Sequence, residues 1–369
     1  MGGASVAEMA QANEGRELTD PDSGVRVRQV TDHPSIHHHP FYYLPAMDDA
    51  MRYLVLVSHR TGRPEVFVER QEDRALIQMT DHDGLAEFSV HPSHDGRYVY
   101  FTDGDGGWRV ATESGSAEQL FSFADERRQI DGHVGAAMGT TTVSADDRYW
   151  AVPVHAGETA RMLIVDTERG DAEYTFEAPS IGHPEFHPDD ADWLRYAGPY
   201  TSRIWIAKRD GSEQRLVYER DVAAKEWIVH ETWRPGTREI VTTQWRQGMI
   251  GIDVDSGEVR RVCSFNAWHA AISCDGTRLI ADTTYPDRGL MLFSAVDGVG
   301  EPQLLCASGS SNVGAHWDCD HCPYDDGVTN VYAPQHTHPH PAFSPDGRQV
   351  IFTSDRSGHA QVYIAEVPE

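Results

Sequence analysis

The sequence predicts an all-β fold, a seven-bladed β-propeller with four-stranded antiparallel blades, from three observations. Short apolar or aromatic runs follow an Asp-rich or Gly-containing turn seven times, as in HPSHDGRYVYFTD and SPDGRQVIFTSD. The turns recur about every 40–50 residues, the period of propeller blades, except in the last interval. Each copy continues into a second β-rich run that ends in a hairpin turn with Gly, such as MIGIDVDSG. The seven turns lie near Asp48, Asp95, Asp146, Asp189, Pro235, Asp275 and Asp346.

The two ends of the chain are expected to meet in the last blade. The run VRVRQV, residues 25–30, can add a strand to a blade whose other strands come from the carboxy terminus, so the ring closes without a free edge. No linker or shift in composition divides the chain. We therefore expect a flexible amino terminus over residues 1–16 and a single propeller domain over residues 17–369. An α/β-hydrolase domain is not expected because no GxSxG motif occurs.

Charge and composition exclude several classes of partner. The net charge of −27 repels phosphate backbones, so nucleic acid is not expected to bind. The first twenty residues lack the apolar segment of a secretory signal, and no later run is long enough to span a membrane. We expect a cytoplasmic protein that does not associate with a membrane. Five cysteines, an odd number, do not form a disulfide framework in a chain of this length.

The long last interval between turns contains about 25 extra residues, which we expect to form a functional loop at one end of the propeller. This loop carries Cys319 and Cys322 in the sequence CDHC, with His316 and His321 close by. A single CxxC pair supplies only half of a zinc site. A loop with free thiols is favoured, and a second, structural zinc is the alternative.

The stretch PQHTHPHP carries the first candidate metal ligands. His338 and His340 are two residues apart, so on extended backbone both imidazoles leave the same face, and Pro339 between them disfavours a helix. They can bind one ion. Gln335 joins them only if the chain before His338 curves. The alternative is a histidine-rich loop without a function.

Other histidines occupy equivalent positions in other blades. His269, His230 and His183 each precede the turn of their repeat, as His338 and His340 do. Equivalent positions of a propeller open onto the central channel at one end. We therefore expect these histidines to lie together, although a histidine before an inner strand can also be only a structural residue.

The order of the motifs GHP, SRIW, VHETW, WHAAIS, AHW and QHTHPHPAFSPDG resembles that of the oligogalacturonate lyases. These are seven-bladed propellers that cleave short uronides by β-elimination with a bound divalent metal. The resemblance extends from about Val30 to the end of the chain. The resemblance implies that the metal ligands are His269, Gln335, His338 and His340. It also implies that His230 is the base that abstracts a proton and that Arg203 is its charged neighbour. We assign His183 and His38 to substrate binding.

The sequence differs from the family in two motifs. SIHHHPFYYL stands where the family usually has an arginine, and GLAEFSVHP replaces a Gly-rich motif. The substrate can therefore be a uronide other than oligogalacturonate. Nitrogen and oxygen ligands with open positions suit Mn²⁺, although zinc, cobalt, nickel and iron also bind such ligands.

The sequence therefore predicts a carbon–oxygen lyase that acts on an anionic oligosaccharide, leaves a 4,5-unsaturated uronate end and belongs to pectin degradation. Two alternatives come from other classes. One is a metal-free propeller that serves as an interaction scaffold, with structural histidines. The other is a metal-dependent hydrolase or isomerase on the same fold.

Overall fold

The computed structural model describes residues 10–104, 106–123, 139–156, 158–296, 301–314, 317–318 and 335–368. These residues form seven antiparallel sheets, which confirms the predicted seven-bladed all-β propeller. No α-helix occurs within those ranges, where Glu87–Ser89 and Gln335–Thr337 form short 3₁₀ turns. The described residues contain no helix able to cross a membrane. The predicted thiol loop, with His316, Cys319, His321 and Cys322, lies outside the described residues.

The first three blades follow one another along the chain. The strands of blade 1 are β1 (Ala10–Gln11), β4 (His37–His38), β5 (Tyr53–Ser58), β6 (Glu65–Arg70) and β7 (Ala75–Gln78). Those of blade 2 are β8 (His91–Pro92), β9 (Tyr98–Thr102), β10 (Gly106–Ala111) and β11 (Ala117–Ser122). Those of blade 3 are β12 (Thr142–Val143), β13 (Tyr149–Ala156), β14 (Thr159–Asp166) and β15 (Ala172–Ala178).

Blades 4, 5 and 6, like blades 2 and 3, each consist of four consecutive strands. Blade 4 consists of β16 (Gly182–His187), β17 (Asp190–Ala197), β18 (Ile204–Lys208) and β19 (Arg215–Tyr218). Blade 5 consists of β20 (Ile228–Trp233), β21 (Glu239–Gln244), β22 (Gly248–Asp253) and β23 (Val259–Cys263). Blade 6 consists of β24 (Ala267–Ile272), β25 (Arg278–Thr283), β26 (Leu290–Ser294) and β27 (Gln303–Cys306).

Blade 7 contains strands from both ends of the chain. Its strands are β2 (Arg16–Thr19), β3 (Arg26–Gln29), β28 (Ala342–Phe343), β29 (Gln349–Ser354) and β30 (Gln361–Glu366). Strand β3 pairs with β30, with Val27 opposite Ala365. Because the amino-terminal strands cover the side of β30, this strand has no open edge in the sheet.

Part of the terminus that the sequence predicts to be flexible is held on the propeller. Ala10 pairs with Ile77 on the outer side of blade 1. The Arg60 guanidinium donates a hydrogen bond to Glu14 at 2.8 Å. These contacts hold the chain between β1 and β2 against blade 1. The single domain over residues 17–369 stays a prediction.

The same Ser–Asp turn precedes the second strand of blades 2, 3, 6 and 7. In blade 7 the Ser344 hydroxyl donates to the Asp346 carboxylate at 2.6 Å and accepts the Gln349 amide at 3.0 Å. Gly347 completes this turn at a φ of 67°, which favours glycine. Blade 6 repeats the arrangement with Ser273. In these blades the turn fixes where the innermost strand ends.

The core lies between blades, where the faces of neighbouring sheets pack. Val27, Ile280, Phe352 and Tyr363 belong to one buried cluster that joins blades 6 and 7. Such burial gives about 1.5–3 kcal/mol for each large apolar side chain. The innermost strands contact one another in succession from β12 to β28. Their amino-terminal halves carry the candidate site.

Candidate metal centre

The structure brings three of the four predicted metal ligands together. The ligand nitrogens of His269, His338 and His340, here called the central triad, lie within 4.8 Å of one another. His269 Nε2 is 3.5 Å from His338 Nδ1. All three side chains are buried. Gln335 lies on the 3₁₀ turn before His338, and its side chain is outside the described part of the structure, so its role as a ligand stays a prediction.

A buried carboxylate orients one ring of the triad. Asp282 accepts hydrogen bonds from the His269 backbone amide at 2.7 Å and from its Nδ1 at 2.8 Å. Because an ionised carboxylate only accepts hydrogen bonds, Nδ1 carries the proton and Nε2 presents its lone pair to the triad. The sequence analysis did not identify Asp282. The available signal was an acid inside the apolar strand run RLIADT.

The segment that carries the other two ligands is fixed through Pro339. Its carbonyl accepts the Thr353 amide at 2.9 Å and lies 3.3 Å from His39 Nε2. These contacts tie the peptide between His338 and His340 to blades 7 and 1. The donor set of the triad therefore fits a divalent ion: three neutral imidazoles, one of them oriented by a carboxylate, converge in a buried position.

The backbone at the histidine positions is irregular in three blades. His183, His230 and His340 have φ values of 46°, 58° and 45°. This left-handed conformation costs a non-glycine residue about 1–3 kcal/mol. Residues that adopt it are concentrated at functional sites. The strand register shifts at His183 and at His230, where a regular strand would direct the side chain differently. The irregularity explains how histidines at corresponding positions turn into the channel.

His230, the predicted base, lies beside the triad without belonging to it. Its ring centroid is 4.3 Å from that of His269. Its Nδ1 is 3.0 Å from the Trp268 carbonyl oxygen, which can only accept a hydrogen bond. Nδ1 therefore carries the proton and Nε2 is free to accept one. Burial, with the positive charges of neighbours such as Arg203, holds the pKa of His230 well below its usual value.

Arg203 is held as a permanent cation by Glu231. Its Nε donates to one carboxylate oxygen of Glu231, and its Nη2 donates to the other at 3.4 Å. Burial lowers the pKa of the Arg203 guanidinium, but the Glu231 charge outweighs burial and the net shift is upward. Glu231 directly follows His230 in the sequence and was not among the predicted site residues. Arg203 therefore offers positive charge and hydrogen bonds.

The two residues assigned to substrate binding occupy different surroundings. The His183 ring stacks on Phe41 with centroids 5.0 Å apart. His38 Nε2 lies 3.2 Å from Glu87 Oε2, in a second group with His59 and His336. We call His38, His59, Glu87 and His336 the Glu87 cluster. The Phe41 ring also lies 4.7 Å from the His340 ring, and burial together with the charge of Arg203 lowers the pKa of His183. His183 therefore lies near Arg203 and the triad, whereas His38 belongs to a separate set of donors.

Tyr42 divides the central channel. Its ring lies 5.3 Å from the His269 ring and 5.8 Å from the His230 ring. Beyond it is a cavity of about 310 Å³, whose lining includes Tyr42, Tyr43, Glu185, Thr232, Ala271 and Phe343. The described residues that line this cavity include neither His230 nor the triad. The cavity belongs to the turn end of the channel, and the candidate site lies at the other end.

Comparison with known proteins gives a family for the whole propeller. The family model described as oligogalacturonate lyase matches residues 17–369. An oligogalacturonide lyase of Pectobacterium atrosepticum is 27% identical over 232 residues, or 57% of this chain and 56% of the relative. An oligogalacturonate lyase of Dickeya dadantii is 27% identical over 225 residues, with the same coverage. The aligned region thus spans little more than half the length of these two relatives.

Solved structures share the fold over nearly the full chain. An oligogalacturonate lyase from Vibrio parahaemolyticus superposes with a TM-score of 0.80 at 22% identity, covering 98% of both chains. An oligogalacturonate lyase in complex with manganese superposes with a TM-score of 0.81 at 20% identity, again over 98% of both chains. With the family model matching all but the first sixteen residues, the chain belongs to the oligogalacturonate lyase family.

Proposed function

We propose that this protein is a divalent-metal-dependent lyase that cleaves short uronic-acid oligosaccharides by β-elimination. The observation that carries the proposal is the convergence of His269, His338 and His340 beside His230, whose accepting nitrogen is left free. Family membership supplies the reaction class. Manganese is the metal we favour, because a structural relative forms a complex with it and nitrogen and oxygen donors suit it.

The central triad would hold the ion, with Gln335 as the expected fourth ligand. A divalent ion bound there supplies Lewis-acid stabilisation of charge that develops on the substrate carboxylate. Imidazole and amide ligands are neutral, so they leave the positive charge available to the substrate. Asp282 acts behind His269, as a positioning residue.

His230 is assigned to proton abstraction. Its Nε2 takes the C5 proton, and the C5–H electron pair forms the C4–C5 double bond. The bond from C4 to the leaving oxygen breaks with its electron pair on that oxygen, which takes up a proton from water. The Trp268 carbonyl keeps the other nitrogen protonated, so the same ring cannot present the wrong tautomer. Low solvent exposure around His230 favours the neutral imidazole that the step requires.

Arg203 is assigned to binding the uronate carboxylate. Its ion pair with Glu231 keeps it protonated and fixes its plane, which disfavours a role as base. His183, close to this cation, is assigned to a substrate hydroxyl. Both assignments place the anionic end of the sugar between the triad and Arg203.

The remaining parts of the proposal concern the surroundings of the enzyme. We place the protein in the cytoplasm, as one domain over residues 17–369, with no nucleic-acid or membrane partner. The net charge of −27 supports the exclusion of nucleic acid. Cell fractionation tests the location.

One assay tests the reaction class. Purified protein is incubated with Mn²⁺ and a panel of short uronides, while ultraviolet absorbance and reducing ends are followed together. A lyase produces an unsaturated uronate, so absorbance and reducing ends rise in parallel. Reducing ends without absorbance would indicate a hydrolase, and no change on any uronide would leave the scaffold alternative.

A further inference from the structure

The Glu87 cluster joins four segments that are distant in the sequence. His38 lies on β4, His59 follows β5, and Glu87 and His336 each lie on a 3₁₀ turn. Their ligand atoms all lie within 4.8 Å of one another. Three imidazoles and one carboxylate therefore meet at a single point between blade 1 and the segment that leads into blade 7.

The distances within this cluster suit a bound ion. Glu87 Oε2 lies 3.2 Å from His38 Nε2 and 2.7 Å from His59 Nε2, and Glu87 Oε1 lies 3.1 Å from His336 Nε2. Ligands about 2.0–2.1 Å from a tetrahedral zinc ion are roughly 3.3 Å from one another. The three carboxylate–imidazole distances are close to this separation, and the ligand nitrogens all lie within 4.8 Å of one another.

The hydrogen bonds of His38 point to a cation between the donors. His38 Nδ1 lies 3.0 Å from the His39 carbonyl oxygen, so Nδ1 carries a proton. In the neutral ring, Nε2 is then an acceptor that faces a carboxylate oxygen, which is also an acceptor. Either a second proton or a shared cation resolves this arrangement, and a cation also satisfies the other two imidazoles.

The surroundings give the cluster one closed side and one accessible side. The His38 and His336 rings stack on Phe88, with centroids 5.2 and 6.3 Å apart. The side chains of Glu87, His59 and His336 are each 21% exposed, whereas His38 is buried. An apolar wall that excludes water on one side, with access from the other, is compatible with binding from solution.

We propose that the Glu87 cluster is a second metal site, which binds a divalent first-row transition ion, Zn²⁺ above all, through three imidazoles and one carboxylate. The ion ties the turn containing His336 to blade 1. His338 of the central triad follows two residues later, so the second ion also positions the segment that supplies the first site. The proposal does not depend on the lyase reaction.

Metal counting on the full chain tests the proposal. The protein is stripped with a chelator, dialysed, reloaded with Zn²⁺ and analysed by elemental mass spectrometry. We expect two ions per wild-type chain and one in Glu87→Gln. His338→Ala, which removes a central ligand, should also hold one ion, and the double variant none.

Two controls separate the cluster from general effects of histidine loss. His359→Asn changes an exposed histidine outside both groups and should keep two ions. His82→Asn breaks a histidine–carboxylate pair with Asp103 and should keep two as well. Cobalt substitution adds a second measurement, because the visible absorption of Co²⁺ bound at the Glu87 cluster should be retained in His338→Ala and lost from that variant when Glu87→Gln is added.

A wild-type count of one ion that His338→Ala removes and Glu87→Gln leaves unchanged would overturn the proposal. A count of two in Glu87→Gln and in His59→Asn would overturn it equally. His59→Asn, at a partly exposed position, replaces Glu87→Gln if circular dichroism shows that the latter does not fold. Since metal counting does not use turnover on a uronide, failure of the second site is distinguishable from failure of the lyase proposal.

Discussion

The central triad and the Glu87 cluster each contain three histidines, but the carboxylate near these histidines lies in a different place in the two groups. In the triad the carboxylate of Asp282 lies behind His269 and orients its ring. In the other cluster the carboxylate of Glu87 lies among the imidazoles themselves. A carboxylate ligand cancels part of an ion's charge, whereas a carboxylate behind a ligand mainly fixes its tautomer. The triad is thus suited to act on an anionic substrate, and the Glu87 cluster to hold chain segments together.

The largest expected difference between the two groups is in catalysis. His338→Ala removes a donor from the triad, and we expect loss of the central ion with a fall in turnover of about a thousandfold or more, since Lewis-acid stabilisation supplies several kcal/mol. The measurement is turnover on a short uronide, together with metal content. His359→Ala, at an exposed position, serves as the control. Retained turnover in His338→Ala would move the chemistry away from the triad.

The second prediction separates the base from the metal ligands. His230→Ala should lower the turnover number by at least about a hundredfold and leave the metal content unchanged, as expected for loss of a general base. Arg203→Ala should instead raise KM, because it loses a contact to the substrate carboxylate. If His230→Ala keeps its turnover while Arg203→Ala abolishes it, the two roles are exchanged.

The third prediction tests the carboxylate behind the triad. Asp282→Asn still accepts the His269 backbone amide but no longer fixes the ring by charge, so we expect metal affinity at the triad to fall by about 10–100-fold. Excess Mn²⁺ should restore turnover, which a purely structural defect would not allow. Activity that stays low at saturating Mn²⁺ would show that Asp282 does more than position His269.

The fold could be predicted from the sequence because a similar turn recurs before the second strand of each blade, and in blades 2, 3, 6 and 7 it has the same Ser–Asp hydrogen bond. The Ser–Asp–Gly turn has a side-chain hydrogen-bond pattern that depends on a few neighbouring residues, so its recurrence is visible without long-range information. The inner histidines were equally visible, since they stand at a constant place before these turns. His269, His338 and His340 were thus predicted to meet, and their nitrogens do meet.

The rest of the site depends on contacts that no local pattern contains. Asp282 supports His269 across two strands, and Glu231 holds Arg203 from the next blade. The Glu87 cluster collects donors that are far apart in the sequence, with Glu87 and His336 separated by 249 positions. The positive φ of His230 could not be predicted from the sequence either, because a histidine does not indicate a left-handed conformation as a glycine does.

A third histidine–carboxylate contact shows what such a pair does alone. His94 of blade 2 lies 2.9 Å from Asp147 of blade 3 through its Nδ1. Asp147 also accepts the backbone amides of His94 at 2.8 Å and Asp95 at 2.9 Å. Among the described residues, this pair does not belong to a group of three or more donors that could hold a metal. The pair joins two blades. Its contribution to the free energy of unfolding should therefore depend on pH and not on a bound metal.

The signs of the pKa shifts of His94 and Asp147 define the pH range in which this pair stabilises the fold. Burial lowers the pKa of His94, but Asp147 outweighs burial and the net shift is upward, so this contribution is present below about pH 6.5 and is lost as pH rises through the folded-state value. Burial raises the pKa of Asp147, but His94 and the backbone amides give a net lowering, so that contribution is present above about pH 3.9 and is lost as pH falls. The pair is strongest between these limits.

The smallest expected effect is therefore that of Asp147→Asn, measured by thermal unfolding in chelator from pH 4.5 to pH 9. Asparagine tolerates the φ of 58° at this position, so the substitution removes charge without backbone strain. We expect a loss of about 1.5 kcal/mol near pH 5.5, or roughly 2 °C in Tm, which shrinks as pH rises above about 6.5 and His94 loses its proton. The same loss at every pH would mean that the pair acts through its neutral hydrogen bonds alone. A loss that appears only when metal is present would instead place His94 and Asp147 with the two metal-binding groups.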